Sequence, residues 1–209
     1  MSDGKILGSD QQDLGRKQTA ELPVMVRGLL ERSGVSFDAL DYVALTNGPG
    51  YFTGIRVGAA YASGLAYASN AKVIPISSLN MLAESYRLFV SAETSEKSGL
   101  SGRAETSESS GRSGKILAVV YAGHGYVYAE CNGFLEAGEY TLDVVREWLA
   151  KNPDAVAISD DPERSGISEA VRVRPSVTAL CELAKNRLDD AISPLELKIS
   201  YYRAPQGVQ

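Results

Sequence analysis

The run Leu45-Thr46-Asn47-Gly48-Pro49-Gly50-Tyr51-Phe52-Thr53-Gly54-Ile55-Arg56-Val57-Gly58 leaves the backbone few options. An apolar stretch meets a glycine-rich turn and continues into a segment free of proline, which reads as strand, tight turn and helix in that order. Gly48 and Gly50 permit backbone angles closed to other residues, Pro49 stiffens the turn, and Thr53 is placed to cap a helix running from Thr53 to Ala68. Along that helix Gly54, Gly58, Ala62 and Ala66 fall four apart, and Ala59, Ser63 and Gly64 add further small positions. A helical glycine costs about 0.5–1 kcal/mol against alanine, so three of them call for a return, and close approach of another backbone supplies one. Spacing alone allows either the sheet beneath or a second protein, and favours the sheet.

The same turn has the geometry of an anion cradle, because the first helical N–H groups and the positive end of the helix dipole point at the loop. The nucleotide motifs are nevertheless not met. The loop lacks a Lys-Ser/Thr ending, its glycines are one residue further apart than in G-x-G-x-x-G, and Ile76-Ser77-Ser78 stands where a dinucleotide site wants an acidic residue. No cofactor is expected.

Strand and helix alternate on either side of this motif. Lys5-Ile6-Leu7 after an Asp3-Gly4 turn reads as a short edge strand, and Leu22, Met25, Val26, Leu29 and Leu30 mark an amphipathic helix stopped by Gly34, with Pro23 tolerable near its start. Tyr42–Thr46 and Val73–Ile76 read as strands, and Ser78 as the cap of a helix through Leu79, Leu82, Ala83 and Tyr86. Further on, Lys115–Tyr121 and Tyr126–Glu130 form a hairpin about Gly123-His124-Gly125. Thr141 caps a helix carrying Val144, Val145, Trp148 and Leu149, followed by strands at 155–158 and 171–173 and a helix from Ser176 to Leu188. The fold class is α/β with a largely parallel first sheet.

Between the halves, residues 91–102 and 103–114 are one twelve-residue unit written twice, SAETSEKSGLSG and RAETSESSGRSG. Such a segment has almost nothing to bury against an ordering cost of roughly 1–2 kcal/mol per residue, so it is expected to be a disordered loop separating a lobe at 1–90 from one at 115–209.

Composition excludes several function classes. The net charge of −5 offers no basic surplus for a phosphate backbone, so direct nucleic-acid capture is not expected. One histidine, His124, cannot build a two-histidine metal site, no G-x-S-x-G elbow exists, and the two cysteines, Cys131 and Cys181, read as small buried hydrophobes. No catalytic residue and no metal site is expected. No apolar run suits a bilayer span, and the chain reads as cytosolic.

The run Gly48-Pro49-Gly50-x-Phe52-Thr53-Gly54-Ile55-Arg56-x-Gly58, with Gly64-Leu65-Ala66 and Ile76-Ser77-Ser78-Leu79, resembles the TsaB family, also called YeaZ. Ile116-Leu117-Ala118, Gly125-Tyr126-Val127-Tyr128 and Tyr202-Arg203-Ala204-Pro205 extend the likeness. The resemblance implies an actin-like ATPase fold of two ribonuclease-H-like lobes. It also implies a non-catalytic role in making threonylcarbamoyladenosine beside the anticodon of tRNA. The partners it implies are the transferase TsaD and the ATPase TsaE, with tRNA met only through the complex and a homodimer possible when the chain is alone. It assigns the TsaD contact to Gly54, Ile55, Gly58, Ala62 and Ala66 together with Leu22, Met25, Val26 and Leu29, and so reverses the preference for the sheet. A weak ATPase or a glycoprotease-like enzyme is the alternative, opposed by the single histidine.

Two departures from the family pattern are visible. Relatives usually open with a strand ending in an Asp-Thr-Ser-like turn and then a second strand, so about twenty residues are expected to be missing, leaving neighbouring strands with unpaired backbone groups at about 1–3 kcal/mol each if buried. Tyr121 and Tyr126 stand where many relatives carry acidic residues, which speaks against magnesium or nucleotide there.

Overall fold

The strand-turn-helix predicted around the glycine-rich run is present in the computed structural model, which describes residues 1–98 and 114–202. The chain forms two units, one from Met1–Ser78 with Leu180–Tyr201, the other from Leu79–Ala179 joined by Tyr202. The division falls at Ser78/Leu79 and not at the repeat. Leu79, Leu82 and Ala83 bury themselves with Ile116, Ala118, Ile158 and Val173, so the helix expected to close the first lobe belongs to the core of the second.

In the first unit, α1 (Gln18–Ser33), β1 (Tyr42–Thr46), α2 (Phe52–Ser69) and β2 (Lys72–Ile76) follow in order. β1 and β2 pair in parallel from Tyr42 opposite Lys72 to Thr46 opposite Ile76, and α2 is the crossover between them. The returning chain adds an antiparallel bridge from Ile192 to Val73 on the outer side of β2. Gly34 ends α1 in the left-handed conformation, as its place after the last apolar residue predicts. Pro23 lies in the second turn of α1, where the Thr19 carbonyl loses its helical donor. Lys5-Ile6-Leu7 is not a strand. Ser2 and Lys5 exchange backbone hydrogen bonds around the Asp3-Gly4 turn, and Ile6 and Leu7 pair with no strand among the described residues and stay exposed.

In the second unit, α3 (Ser78–Ser98) is followed by β3 (Ile116–Gly123), β4 (Tyr126–Cys131), β5 (Leu135–Thr141), α4 (Leu142–Lys151), β6 (Val156–Ser159), α5 (Pro162–Ser165) and β7 (Val171–Arg172), and α6 (Val177–Lys185) begins there and runs on into the first unit from Leu180. The sheet order is β5-β4-β3-β6-β7, antiparallel between β3, β4 and β5 and parallel from β3 to β6 to β7. Leu117, Val119, Val127, Ala129, Cys131 and Val145 form the core on one face. Thr141 caps α4 by accepting from the Val144 N–H at 3.5 Å. Ser78 is the first residue of α3 and does not precede it. That helix continues into the first copy of the repeat, where alanine, glutamate and lysine favour helix. The loop expected at 91–114 is therefore helix as far as Ser98, and its stretch 99–113 lies outside the described residues.

β5 carries no clear strand pattern in the sequence, because Gly138 and the glutamates Glu136 and Glu139, three positions apart, break the period of two, and its pairing with β4 supplies what propensity does not.

Candidate partner-binding surface

The glycine loop is built into the first unit by its own backbone. The Gly48 carbonyl accepts from the Ser78 N–H at 2.9 Å, and the Asn47 side-chain amide donates to the Lys198 carbonyl at 3.1 Å and the Ser200 hydroxyl at 3.2 Å. Gly48 and Pro49 are buried, joined by a cis peptide bond, and Gly50 lies against Ile55. Gly48 has φ +111°, and a Cβ there would stand 2.7 Å from the backbone oxygen of Ser200. Gly48→Ala is therefore expected to destabilise the protein by about 1–3 kcal/mol, measured by denaturant unfolding, because neither the backbone angle nor the neighbouring backbone can yield cheaply. Thr53 does not cap the helix. The cap position is Tyr51, which makes no side-chain capping bond; the Ile55 N–H bonds its carbonyl at 3.1 Å, and Thr53 falls inside the first turn.

The four small residues of α2 do not share one face. Ala62 and Ala66 are 7% and 0% exposed, packed with Ala59 against Leu45 and Val73, so the chain's own sheet occupies the positions assigned to a partner. Gly54 receives the Gln18 side chain of α1, whose amide oxygen lies 3.4 Å from where its Cβ would be. Gly58 has nothing within 4 Å of that point. Helix geometry accounts for the split. A step of four residues turns the helix by about 400°, so each step drifts about 40°, and Gly54 and Ala66 end about 120° apart. Ile55 is half-buried at the loop side.

Helix α1 buries no residue completely; Leu22, Met25, Val26 and Leu29 are all half-buried, and Val24 is 54% exposed. A sixteen-residue helix is marginal unless packing supports it, so this apolar surface is under-used by the fold itself. At the opposite flank of α2, Arg56 lies 4.0 Å above the Phe52 ring and donates to the Tyr201 hydroxyl at 2.9 Å, an exposed aromatic and arginine cluster of the kind common at interfaces.

The second unit gathers charges that sequence reasoning passed over. Arg172 contacts Glu163, Asp161 and the Asp160 carbonyl, and Arg164 lies 4.7 Å over the Tyr121 ring. Asp160 is held above the ordinary aspartate value by desolvation of its carboxyl, against the pull of the Asp161 N–H. Because the folded state binds that proton more tightly than the unfolded chain, ionisation of Asp160 erodes stability as pH rises from the unfolded value near 3.8. Asp160→Asn should raise Tm at neutral pH, and the gain should vanish below that value. Tyr202 packs on Tyr128 at 5.9 Å, its hydroxyl pushed up by burial and then by the Glu130 charge, whereas 203–205 of the sequence ending lie outside the described residues. His124 is exposed in the hairpin turn at φ +51°; Cys131 is buried, but Cys181 is only partly so. Among the described residues no group of three or more histidine, cysteine, aspartate or glutamate side chains is gathered as for a metal ion.

A family model described as "TsaD: tRNA N6-adenosine threonylcarbamoyltransferase" matches residues 12–184. The chain belongs to this family. It is 42% identical over 69 residues to the tRNA threonylcarbamoyladenosine biosynthesis protein TsaB of Haemophilus influenzae, covering 33% of this chain and 29% of that protein. The Escherichia coli TsaB is 36% identical over 69 residues, 33% of this chain and 30% of its own length. The matched stretches thus span about a third of these curated relatives. YeaZ from Pseudomonas aeruginosa superposes with a TM-score of 0.59 at 22% identity, covering 91% of this chain and 86% of that one. The chain therefore shares the α/β fold of YeaZ.

Proposed function

We propose that this chain is a TsaB-type, non-catalytic subunit in the biosynthesis of threonylcarbamoyladenosine in tRNA, binding and activating a TsaD-type transferase. The TsaE ATPase acts with the pair, and tRNA is reached through the complex in the cytoplasm. Among the described residues no helix is long and apolar enough to cross a membrane.

The observation that carries the reading is the flank where α1, an apolar helix without a fully buried residue, meets α2 at Gly54 through Gln18, and where Gly58, about one turn further along α2, has open space around it. Such a flank lets a helix from another protein approach closely, and apolar area withdrawn from water there stabilises at roughly 25 cal/mol per Å². Ile55 and the α1 residues Leu22, Met25, Val26 and Leu29 belong to the contact on this reading, Gly54 is shared with Gln18, and Ala62 and Ala66 act indirectly by seating α2.

The test is threonylcarbamoylation of tRNA by purified TsaD and TsaE with the threonylcarbamoyl donor, with and without this chain. Incorporation of labelled threonine should require both TsaD and this chain. Incorporation by this chain alone, or no stimulation of TsaD, would refute the subunit role. A second reading, that the chain is itself the transferase, is favoured by the name of the matched family model, and a weak ATPase is a third. A single histidine weighs against a two-histidine metal site, and nucleotide turnover by the isolated chain would revive the ATPase version.

A further inference from the structure

Arg56 carries a charge that the fold leaves without a counter-charge. Arg27, Arg32, Arg87, Arg146 and Arg172 each form an ion pair with a carboxylate, whereas among the described residues no carboxylate pairs with Arg56, and α2 has no acidic residue in its first turn. Its position is fixed all the same. The guanidinium lies 4.0 Å from the centre of the Phe52 ring and 6.0 Å from that of Tyr201, the two rings pack on each other at 5.6 Å, and Nε donates to the Tyr201 hydroxyl at 2.9 Å. The terminal amino groups donate to nothing among the described residues, so the fork of donors that suits a planar anion is open. Tyr51, Phe52 and Tyr201 around it are exposed.

We infer that Arg56 receives the carboxylate of an aspartate or glutamate side chain of a partner protein, with an apolar neighbour of that residue seated on Phe52 and Tyr201. The stacking and the Nε bond hold the guanidinium before the partner arrives, so little side-chain freedom is lost when a bidentate pair forms. The aromatic rim then keeps water from the pair, as the surround of an interface hot spot does. A nucleic-acid phosphate is the other anion an arginine takes, and the surroundings argue against it. Tyr51, Phe52, Thr53 and Ala60, exposed beside Arg56, are uncharged, and the chain carries −5 overall, whereas a phosphate backbone is held by several cations together. Arg56 and Gly58 stand about 200° apart around α2, so this contact lies on the flank opposite the one made with α1. The inference rests on the reading of the chain as a subunit and adds to it the chemistry of a second contact.

Calorimetric titration of the full chain with a purified TsaD-type transferase, and separately with TsaE, tests this. At least one of the two should bind the unaltered chain, and Arg56→Glu should weaken that binding by about tenfold or more, with Arg56→Lys intermediate because an ammonium group neither stacks nor binds in bidentate fashion. Replacing the partner's aspartates and glutamates in turn by lysine should yield one change that restores binding to the Arg56→Glu chain. Thermal unfolding of each variant, expected to be unchanged for an exposed side chain, separates lost binding from lost fold; should Arg56→Glu fail to fold, Arg56→Gln decides alone. Unaltered affinity in both Arg56→Glu and Arg56→Gln overturns the inference and leaves the subunit reading standing. An unaltered chain that binds neither protein overturns the subunit reading and the inference with it. A loss confined to tRNA binding would give the platform to RNA and also overturns the inference.

Discussion

Gly58→Leu is expected to abolish or strongly weaken association with a TsaD-type partner while leaving the isolated chain as stable as before or slightly more so. A Cβ at Gly58 meets nothing within 4 Å in the chain, so a side chain there points into open space, and replacing a helical glycine recovers up to about 1 kcal/mol of propensity. A partner helix seated against that bare position would be forced outward by a leucine. Overpacking of this kind costs typically about 1–3 kcal/mol and occasionally more, a loss of roughly 5- to 150-fold in affinity. Calorimetric titration into TsaD and thermal unfolding of the same variant separate the two effects. Unchanged affinity in a well-folded variant would remove Gly58 from the interface.

Ala66→Leu should do the reverse, lowering the stability of the first unit by about 1–3 kcal/mol through overpacking against the sheet. Ala66 is 0% exposed, and its neighbours Ala62, Leu45 and Val73 leave little room for a larger side chain. Urea unfolding reads the loss directly, and any fall in partner binding should track the folded fraction. A variant of undiminished stability would show that this face of α2 is not closed by the chain's own sheet. The two substitutions sit on the same four-residue spacing, so opposite outcomes would demonstrate that the stripe has two functions.

Much of the fold is legible from local chemistry. Gly34 stops α1, Gly123-His124-Gly125 turns the β3–β4 hairpin, and Thr141 caps α4, each because a short-range bond or backbone angle restricts what the residue can do. The candidate site was less legible. Spacing identified the small residues of α2, but it did not divide them between Gly58, open to a partner, and Ala62 and Ala66, closed by the sheet. The charged group around Arg172 was not readable because its members come from the β6–α5 connection, from α5 and from β7, which only the sheet brings together.

Residue order by itself determined the alternation of strand and helix, the glycine turn and the family, because these depend on periodicity and on conformations a few residues can or cannot adopt. The tertiary structure decided three other things. It assigned α3 to the second core, it left Lys5–Leu7 without a sheet to join, and it turned Ala62 and Ala66 inward while Gly58 stayed open. The physical reason is common to all three: whether an apolar or small residue is buried depends on which surface arrives opposite it, and that surface is contributed by chain distant in sequence.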